Sequence, residues 1–267
     1  MVDKQQNYTQ VAADFDTDFG FERVHPRDKD RRVAAIFSKV ADKYDVMNDV
    51  MSAGVHRLWK ARLIQRLYLS RHFSARAQPL HLLDLGGGTG DIAFRAAKHA
   101  QKLGCPLKVQ VLDINPAMLH IGAQRARQQS GNFTFTAASA EALPLADSSV
   151  DFVTIAFGIR NITHRAQALH EAWRVLKPGG RFVCLEFSQL SSPFMQKLYD
   201  AYSFHIIPPL GAAIAGQRAA YQYLVESIRN FPRAEIFATE LEAAGFARVR
   251  FEILSGGIAA LHGGWRV

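Results

Sequence analysis

Leu82-Leu83-Asp84-Leu85-Gly86-Gly87-Gly88-Thr89-Gly90-Asp91 is the stretch that decides how this chain folds. The apolar run from Leu80 to Leu85 has the length of a buried strand and stops at a glycine-rich turn. From there, Ile92, Ala93, Ala96, Ala97 and Ala100 fall on one face of a helix. Strand, glycine turn and helix in that order open the nucleotide-binding half of a doubly wound α/β sheet. Glycine suits such a turn because the backbone can take positive φ there, and because a side chain would hold a ligand off. A tight turn without a ligand would use the same residues.

The glycine spacing narrows the ligand. A dinucleotide turn reads G-x-G-x-x-G/A, with a small third residue and pyrophosphate on the helix N-terminus. Here the glycines stand at 86, 88 and 90, and Asp91 takes the third position. A carboxylate there opposes a pyrophosphate and tolerates a cationic sulfonium, and Asp84 adds negative charge. The loop therefore points to S-adenosylmethionine rather than NAD, with Asp84, Gly86, Gly88 and Gly90 at the cofactor.

The rest of the chain extends this pattern. Leu107 to Ile114 alternates into a second strand ending at Asp113, about twenty residues past the loop, where ribose hydroxyls would lie. Its two oxygens match two hydroxyl donors, although Asp113 could also cap the helix that starts at Pro116 and runs to Gln129. Phe133 to Ala137 is a third strand, and the loop after it brings Ser139 and the backbone near Ala140 to an adenine. Val150 to Ala156 is a fourth strand beside the first. It empties into Phe157-Gly158-Ile159-Arg160-Asn161, which aims an arginine and an amide at the cleft. A helix from His164 to Leu176 stops at Lys177-Pro178-Gly179-Gly180, before a fifth strand from Arg181 to Ser188. Pro232 to Ala244 is the last helix, and Phe246 to Leu254 with Gly257 to His262 closes the sheet.

Outside the sheet, residues 1–28 read as a flexible arm and residues 29–267 as one domain. Within that domain, residues 29–70 form an N-terminal helical cap. In it the segment from Tyr44 to Gly54 crowds aromatic, acidic and amide groups, a common setting for substrate contacts and equally for core aromatics and turns. Residues 191–230 form an aromatic-rich helical insertion after the fifth strand, with an apolar centre at Ile206 to Gly211. Such a flap suits a hydrophobic substrate, a dimer contact, a membrane or the core itself.

At 267 residues, with 48% hydrophobic and 21% charged, the chain buries a full core without difficulty. Its two cysteines have neither disulfide nor metal spacing, so no metal is expected. No secretory h-region opens it and no apolar run reaches transmembrane length, which makes the cytoplasm the expected compartment. The net charge of +8 is not arranged as a nucleic-acid motif. It suits either a scattered solvated surface or attachment to the inner face of the cytoplasmic membrane, where each basic residue contributes about 1 kcal/mol.

Several segments together resemble a known family. They are Tyr44-Asp-Val-Met-Asn-Asp-Val-Met-Ser52 with His56-Arg-Leu-Trp59, the loop from Leu82 to Asp91, Ala140-Glu-Ala-Leu-Pro144 and Phe157-Gly-Ile-Arg-Asn161. Arg174-Val-Leu-Lys-Pro-Gly-Gly180, Leu185-Glu-Phe-Ser188, Asp200-Ala-Tyr-Ser-Phe-His205 and Tyr223-Leu-Val-Glu-Ser-Ile-Arg229 continue the match. From about residue 30 onward the chain resembles the ubiquinone/menaquinone biosynthesis C-methyltransferases, which are class I S-adenosylmethionine-dependent methyltransferases. The glycine loop is common to the superfamily; the Tyr44 and Phe157 segments are far more specific.

The resemblance implies a Rossmann-like seven-stranded, mostly parallel sheet with helices on both faces. It implies cofactor contacts at Thr89, Asp113, Ser139 and Ala140. Ala156 stands where the family carries a serine, and Ser139 where close relatives carry an asparagine. The implied reaction is methyl transfer to a ring carbon of a polyprenylated hydroquinone, either demethylmenaquinol or 2-polyprenyl-6-methoxy-1,4-benzoquinol. Arg160 is then the candidate to stabilise a phenolate and Asn161 to orient the hydroxyl, with Tyr44 or Asp45 relaying the proton. A homodimer, a quinone-synthesis assembly and the membrane are the candidate partners; nucleic acid is not. The rival activities are methylation of another lipophilic acceptor and NAD-dependent oxidoreduction; a non-catalytic partner in a quinone-synthesis assembly is a third possibility.

Overall fold

The computed structural model describes residues 17–40, 49, 52, 54–69, 78–189 and 218–267; for residues 39, 40 and 218 it describes the backbone alone. At the N-terminal side, β1 (Thr17–Phe19) and β2 (Glu22–Val24) pair as an antiparallel hairpin, followed by α1 (Pro26–Val40) and α2 (His56–Gln65). Strand and helix then alternate: β3 (Leu80–Leu85), α3 (Asp91–Lys102), β4 (Leu107–Asp113), α4 (Pro116–Ala126), β5 (Asn132–Ala137), β6 (Val150–Ala156), α5 (Arg165–Val175) and β7 (Leu176–Phe187). Helices α6 (Arg218–Asn230) and α7 (Ala234–Ala243) precede the closing strands β8 (Ala247–Leu254) and β9 (Ala259–Trp265).

The seven-stranded sheet has the order β5-β4-β3-β6-β7-β9-β8. Strands β3 to β7 are parallel, and β9 runs antiparallel to both β7 and β8. Alternate residues of the central strands face opposite cores, as period-two geometry requires. Leu82, Val109, Phe152 and Val183 join α2, α3 and α6 on one side. Leu83, Leu112, Val153 and Cys184 join α5 and α7 on the other. Burial of both faces is why these strands read as continuous apolar runs. The order reverses between β3 and β6, so a crevice opens at their carboxyl ends.

Three differences from the sequence expectation have physical causes. Residues 17–24 are a held hairpin rather than part of a flexible arm. Phe19 stacks on Tyr223 at 4.6 Å, the Phe21 amide donates to Glu226, and Asn230 donates to the Gly20 carbonyl. Two strands of three residues carry too little alternation to be seen in sequence. The supposed cap also divides. Helix α2 buries Trp59, Leu63 and Ile64 in the main core, whereas α1 lies over the crevice. Finally, β7 begins at Leu176 rather than Arg181. The Gly179 amide donates to the Arg266 carbonyl and the Arg266 amide to that of Gly180, which keeps the Pro-Gly-Gly segment in the sheet.

Of the aromatic insertion, α6 is described, and Tyr221, Tyr223, Leu224, Val225 and Ile228 on it are buried. Its apolar centre at Ile206 to Gly211 lies outside the described residues. Among the described residues, no helix is long and apolar enough to cross a membrane.

Helix α4 approaches the glycine loop closely at Gly122. A Cβ there would come within 2.7 Å of the Phe135 ring and 3.0 Å of the Gly88 carbonyl oxygen. Gly122→Ala should therefore cost about 1–3 kcal/mol as an overpacked contact, measured by chemical denaturation. A neutral substitution would show that the loop has room to retreat.

Candidate active site

The carboxyl ends of β3, β4, β5 and β6 surround a cleft lined by the glycine loop, Asp113, Ser139 and Asn161, at the place where open α/β sheets bind their ligands. The glycine loop forms its floor. Gly86, Gly88 and Gly90 take φ of +59°, +49° and +83°, a left-handed region that side chains disfavour. Gly87 is required for another reason: a Cβ there would lie 2.8 Å from both Asp84 Oδ2 and Val111. Gly90 also forms the entry to α3.

Asp84 sits behind Gly87, only 1% exposed. Thr154 Oγ1 donates to its Oδ1 at 2.8 Å, and its Oδ2 is buried without a partner among the described residues. Burial pushes its pKa up to about 7, against the opposing pull of the Thr154 hydrogen bond. Asp91 is ion-paired to Lys60 and Arg95, each at 2.7 Å, with the lysine itself buried. The electrostatic case against a pyrophosphate is thus corrected. One carboxylate is answered by two cations, and the other takes up a proton near neutrality. The steric part survives, because Asp91 still stands where a dinucleotide turn wants a small residue.

Asp113 ends β4 with both carboxylate oxygens engaged by backbone. Its Oδ2 accepts from the Gly88 amide at 3.0 Å and its Oδ1 from the Asn115 amide at 2.8 Å. Each oxygen retains a lone pair for a hydroxyl donor. Asn115, not Asp113, caps α4, accepting from the Ala117 and Met118 amides. Its Nδ2 donates to the Ala34 carbonyl and Ser38 Oγ, which ties α1 to the cleft rim. Ser139 and Ala140 line the same wall. Ser139 Oγ is occupied by the Glu141 amide at 3.1 Å, a local turn bond.

Ala156 opens the opposite wall, and after it the chain turns sharply. Phe157 sits at φ +57°, which costs a bulky residue about 1–3 kcal/mol. Its amide donates to the Leu185 carbonyl at 2.8 Å, and its ring packs on Phe187 at 4.8 Å. Arg160 Nη1 donates to the Phe157 carbonyl and to Glu186 Oε1, both at 2.7 Å. Those two charged side chains are 2% and 1% exposed. Arg160 therefore lies beneath the turn and is not among the residues that line the cleft. Asn161 does line it, and its Oδ1 accepts from the buried Tyr223 hydroxyl at 3.0 Å. Tyr44 and Asp45 lie outside the described residues.

Sequence reasoning missed Glu186, Lys60, Thr154 and Tyr223. A lone carboxylate inside the apolar run Phe182-Val-Cys-Leu-Glu-Phe187 was a readable signal of a buried partner. Nothing local distinguished Lys60 or Tyr223 from their neighbours. Among the described residues, no group of three or more His, Cys, Asp or Glu is placed to hold a metal ion.

The ubiE/COQ5 methyltransferase family profile matches residues 26–266, nearly all of the described chain. The chain belongs to that family. It is 54% identical to the ubiquinone/menaquinone biosynthesis C-methyltransferase UbiE of Methylobacterium nodulans, over 96% of this chain and 99% of that protein. The protein of the same name from Nitrobacter hamburgensis is 53% identical over 94% and 97%. Among solved structures, a Thermotoga maritima S-adenosylmethionine-dependent methyltransferase, described as a possible histamine N-methyltransferase, superposes with a TM-score of 0.55 at 19% identity. It covers 87% of this chain and 99% of its own. The citrinin polyketide synthase CMeT domain gives 0.62 at 13% identity, over 84% and 56%. These two establish the Rossmann-like methyltransferase fold. The enzyme is an S-adenosylmethionine-dependent methyltransferase. Its glycine cradle, which added side chains would fill, and the free lone pairs of Asp113 fit a nucleoside-bearing methyl donor.

The raised Asp84 pKa has a defined effect on stability. The folded protein keeps this proton up to about pH 7, and the unfolded chain releases it near its ordinary value of about 4. Stability contributed by Asp84 is full below that value and is lost as pH rises through about 7. Buried His56 and His262, pushed down to about 4, act in the opposite sense over most of that window. The wild type should therefore be compared with Asp84→Asn, which keeps the acceptor for Thr154. Melting-temperature differences between the two should widen in favour of the variant from about pH 4 to about pH 7 and then level off. A constant difference would remove Asp84 as a titrating group.

Proposed function

We propose that this enzyme methylates a ring carbon of a polyprenylated hydroquinone in quinone biosynthesis. Demethylmenaquinol, giving menaquinol, and 2-polyprenyl-6-methoxy-1,4-benzoquinol on the ubiquinone route are the substrates. The observation that carries this is the turn from Phe157 to Asn161, which sets an amide on the cleft wall facing the glycine loop. The relatives named for this step support it over most of the chain.

The chemistry follows from the residues. A ring carbon becomes nucleophilic as a neighbouring phenol, of pKa about 10, gives up its proton. Asn161, held from behind by Tyr223, presents its amide N–H to that oxygen and stabilises developing charge. Arg160 acts through the turn: paired with Glu186, it fixes the Phe157 carbonyl and thereby the direction of Asn161. Tyr44 or Asp45 relays the phenolic proton. S-adenosylmethionine, when bound, supplies the electrophilic methyl group. Asp113 and the glycine loop position its nucleoside, and Ser139 with Ala140 takes the adenine edge. A polyprenyl tail brings the enzyme to the inner face of the cytoplasmic membrane as a peripheral protein.

Asn161→Leu should lower kcat about a hundredfold or more, the scale of losing one oriented donor, with cofactor affinity unchanged by calorimetry. Wild-type turnover in that variant would discard the role. Arg160→Ala leaves Glu186 buried and unpaired, at a cost of about 3–5 kcal/mol. Arg160→Met combined with Glu186→Leu removes both charges and isolates the catalytic effect. Mass spectrometry of quinones from a gene-deleted strain should find species one methyl lighter; an unchanged profile would favour another lipophilic acceptor.

A further inference from the structure

The sheet face that carries α2 continues into a second groove over β7, β9 and β8. Arg66, Tyr68, Arg181, Arg248, Arg250 and Trp265 are among its walls, and none of its residues lines the methyl-transfer cleft. Four arginines there face a single carboxylate, Glu252, which is already shared between Arg62 and Arg66. Arg248 and Arg250 are exposed on β8 and make no ion pair among the described residues.

Arg181 stands at the base of the groove and is only 8% exposed. Its guanidinium is held between Tyr68, at 4.8 Å, and Trp265, at 4.4 Å. Both rings engage the guanidinium through its π face rather than through its N–H groups. Its Nε is buried with no hydrogen-bond partner, and no carboxylate reaches it among the described residues. A neighbouring glycine keeps space beside the guanidinium, since a Cβ at Gly263 would lie 3.1 Å from Nη2. Burial lowers its pKa to about 10, so it stays charged at neutral pH. A buried cation without a counter-ion is costly to keep unless something anionic visits it.

We propose that this groove is an oxyanion site for a phosphate group, held by the unpartnered N–H groups of Arg181 with Arg248 and Arg250 supplying further charge. A planar guanidinium edge offers two parallel N–H donors, which match two phosphate oxygens. The excess of cations favours a phosphate monoester or diester over a single carboxylate. The phosphate is that of a phospholipid headgroup or of a soluble phosphate ester, and experiment separates the two.

The full-length protein is melted in phosphate-free buffer against increasing inorganic phosphate and glycerol phosphate. It is also sedimented with phosphatidylcholine vesicles, with and without phosphatidylglycerol. Wild-type protein should be stabilised saturably by phosphate, and Arg248→Gln with Arg250→Gln should weaken that binding by about tenfold, the loss of two charge-assisted contacts. Arg181→Met should melt no lower than wild type without phosphate, because it removes an unpaired buried charge, and should not respond to phosphate. Sedimentation with anionic vesicles that glycerol phosphate reverses and the arginine variants abolish would identify the headgroup. Phosphate stabilisation without vesicle binding would identify the soluble ester. A wild-type melting temperature indifferent to phosphate, with vesicle binding equal in all variants, would overturn the site.

Discussion

The structure depends on how closely backbone can approach backbone at the carboxyl end of β3. Gly122 on α4 meets the backbone of Gly88 and Thr89, and Gly86 that of Gly158, while Gly87, Gly88 and Gly90 leave room for the side chains of Asp84, Met118 and Phe94. With the loop so placed, the Gly88 amide reaches Asp113, and Asp84 is sealed beneath Gly87. The loop carbonyl at Gly86 also lies near Gly158, across the crevice between β3 and β6. The two halves of the site, donor pocket and acceptor turn, are thus built against each other with little spare volume.

The acceptor side is held by a different means. The exit from β6 places Phe157 in a conformation that a bulky residue resists, and packing overcomes that resistance. Phe187 and Trp59 enclose the ring, while Arg160 and Glu186 lock the carbonyl from below. A charged pair this deeply buried is weak as a source of stability but strong as a specifier of geometry when its hydrogen bonds are met. Here Glu186 also accepts from the Phe187 amide and Arg160 serves two acceptors on one nitrogen, while Arg160 Nε is left without a partner among the described residues. Their function is to fix one shape for the turn that carries Asn161.

Much of this was legible in the chain. The central strands, the glycine turn and the carboxylate at Asp113 announced themselves because local pattern and tertiary role agree there. The misreadings arose where they part. Asp91 looked like an uncompensated charge because Lys60, its partner, lies about thirty residues away on α2. Arg160 looked like a cleft residue because sequence gives a strand end but not the direction a side chain takes from it. Glu186, its partner, was visible as an anomaly in an apolar run but had no neighbour in sequence to explain it. The hairpin from Thr17 to Val24 was invisible for lack of length.

Helix α2 bears on where this protein can be divided. Trp59 and Leu63 cover the sheet on the side where Val183 and Leu185 of β7 emerge, and Lys60 neutralises Asp91 at the start of α3. A chain trimmed back to the glycine-loop strand would retain every cofactor-facing residue of the loop. It would nonetheless open one layer of the core to water and leave Asp91 without its lysine. The segment ahead of β3 thus supplies both a layer of core and a neutralising charge to the half of the sheet that carries the glycine loop.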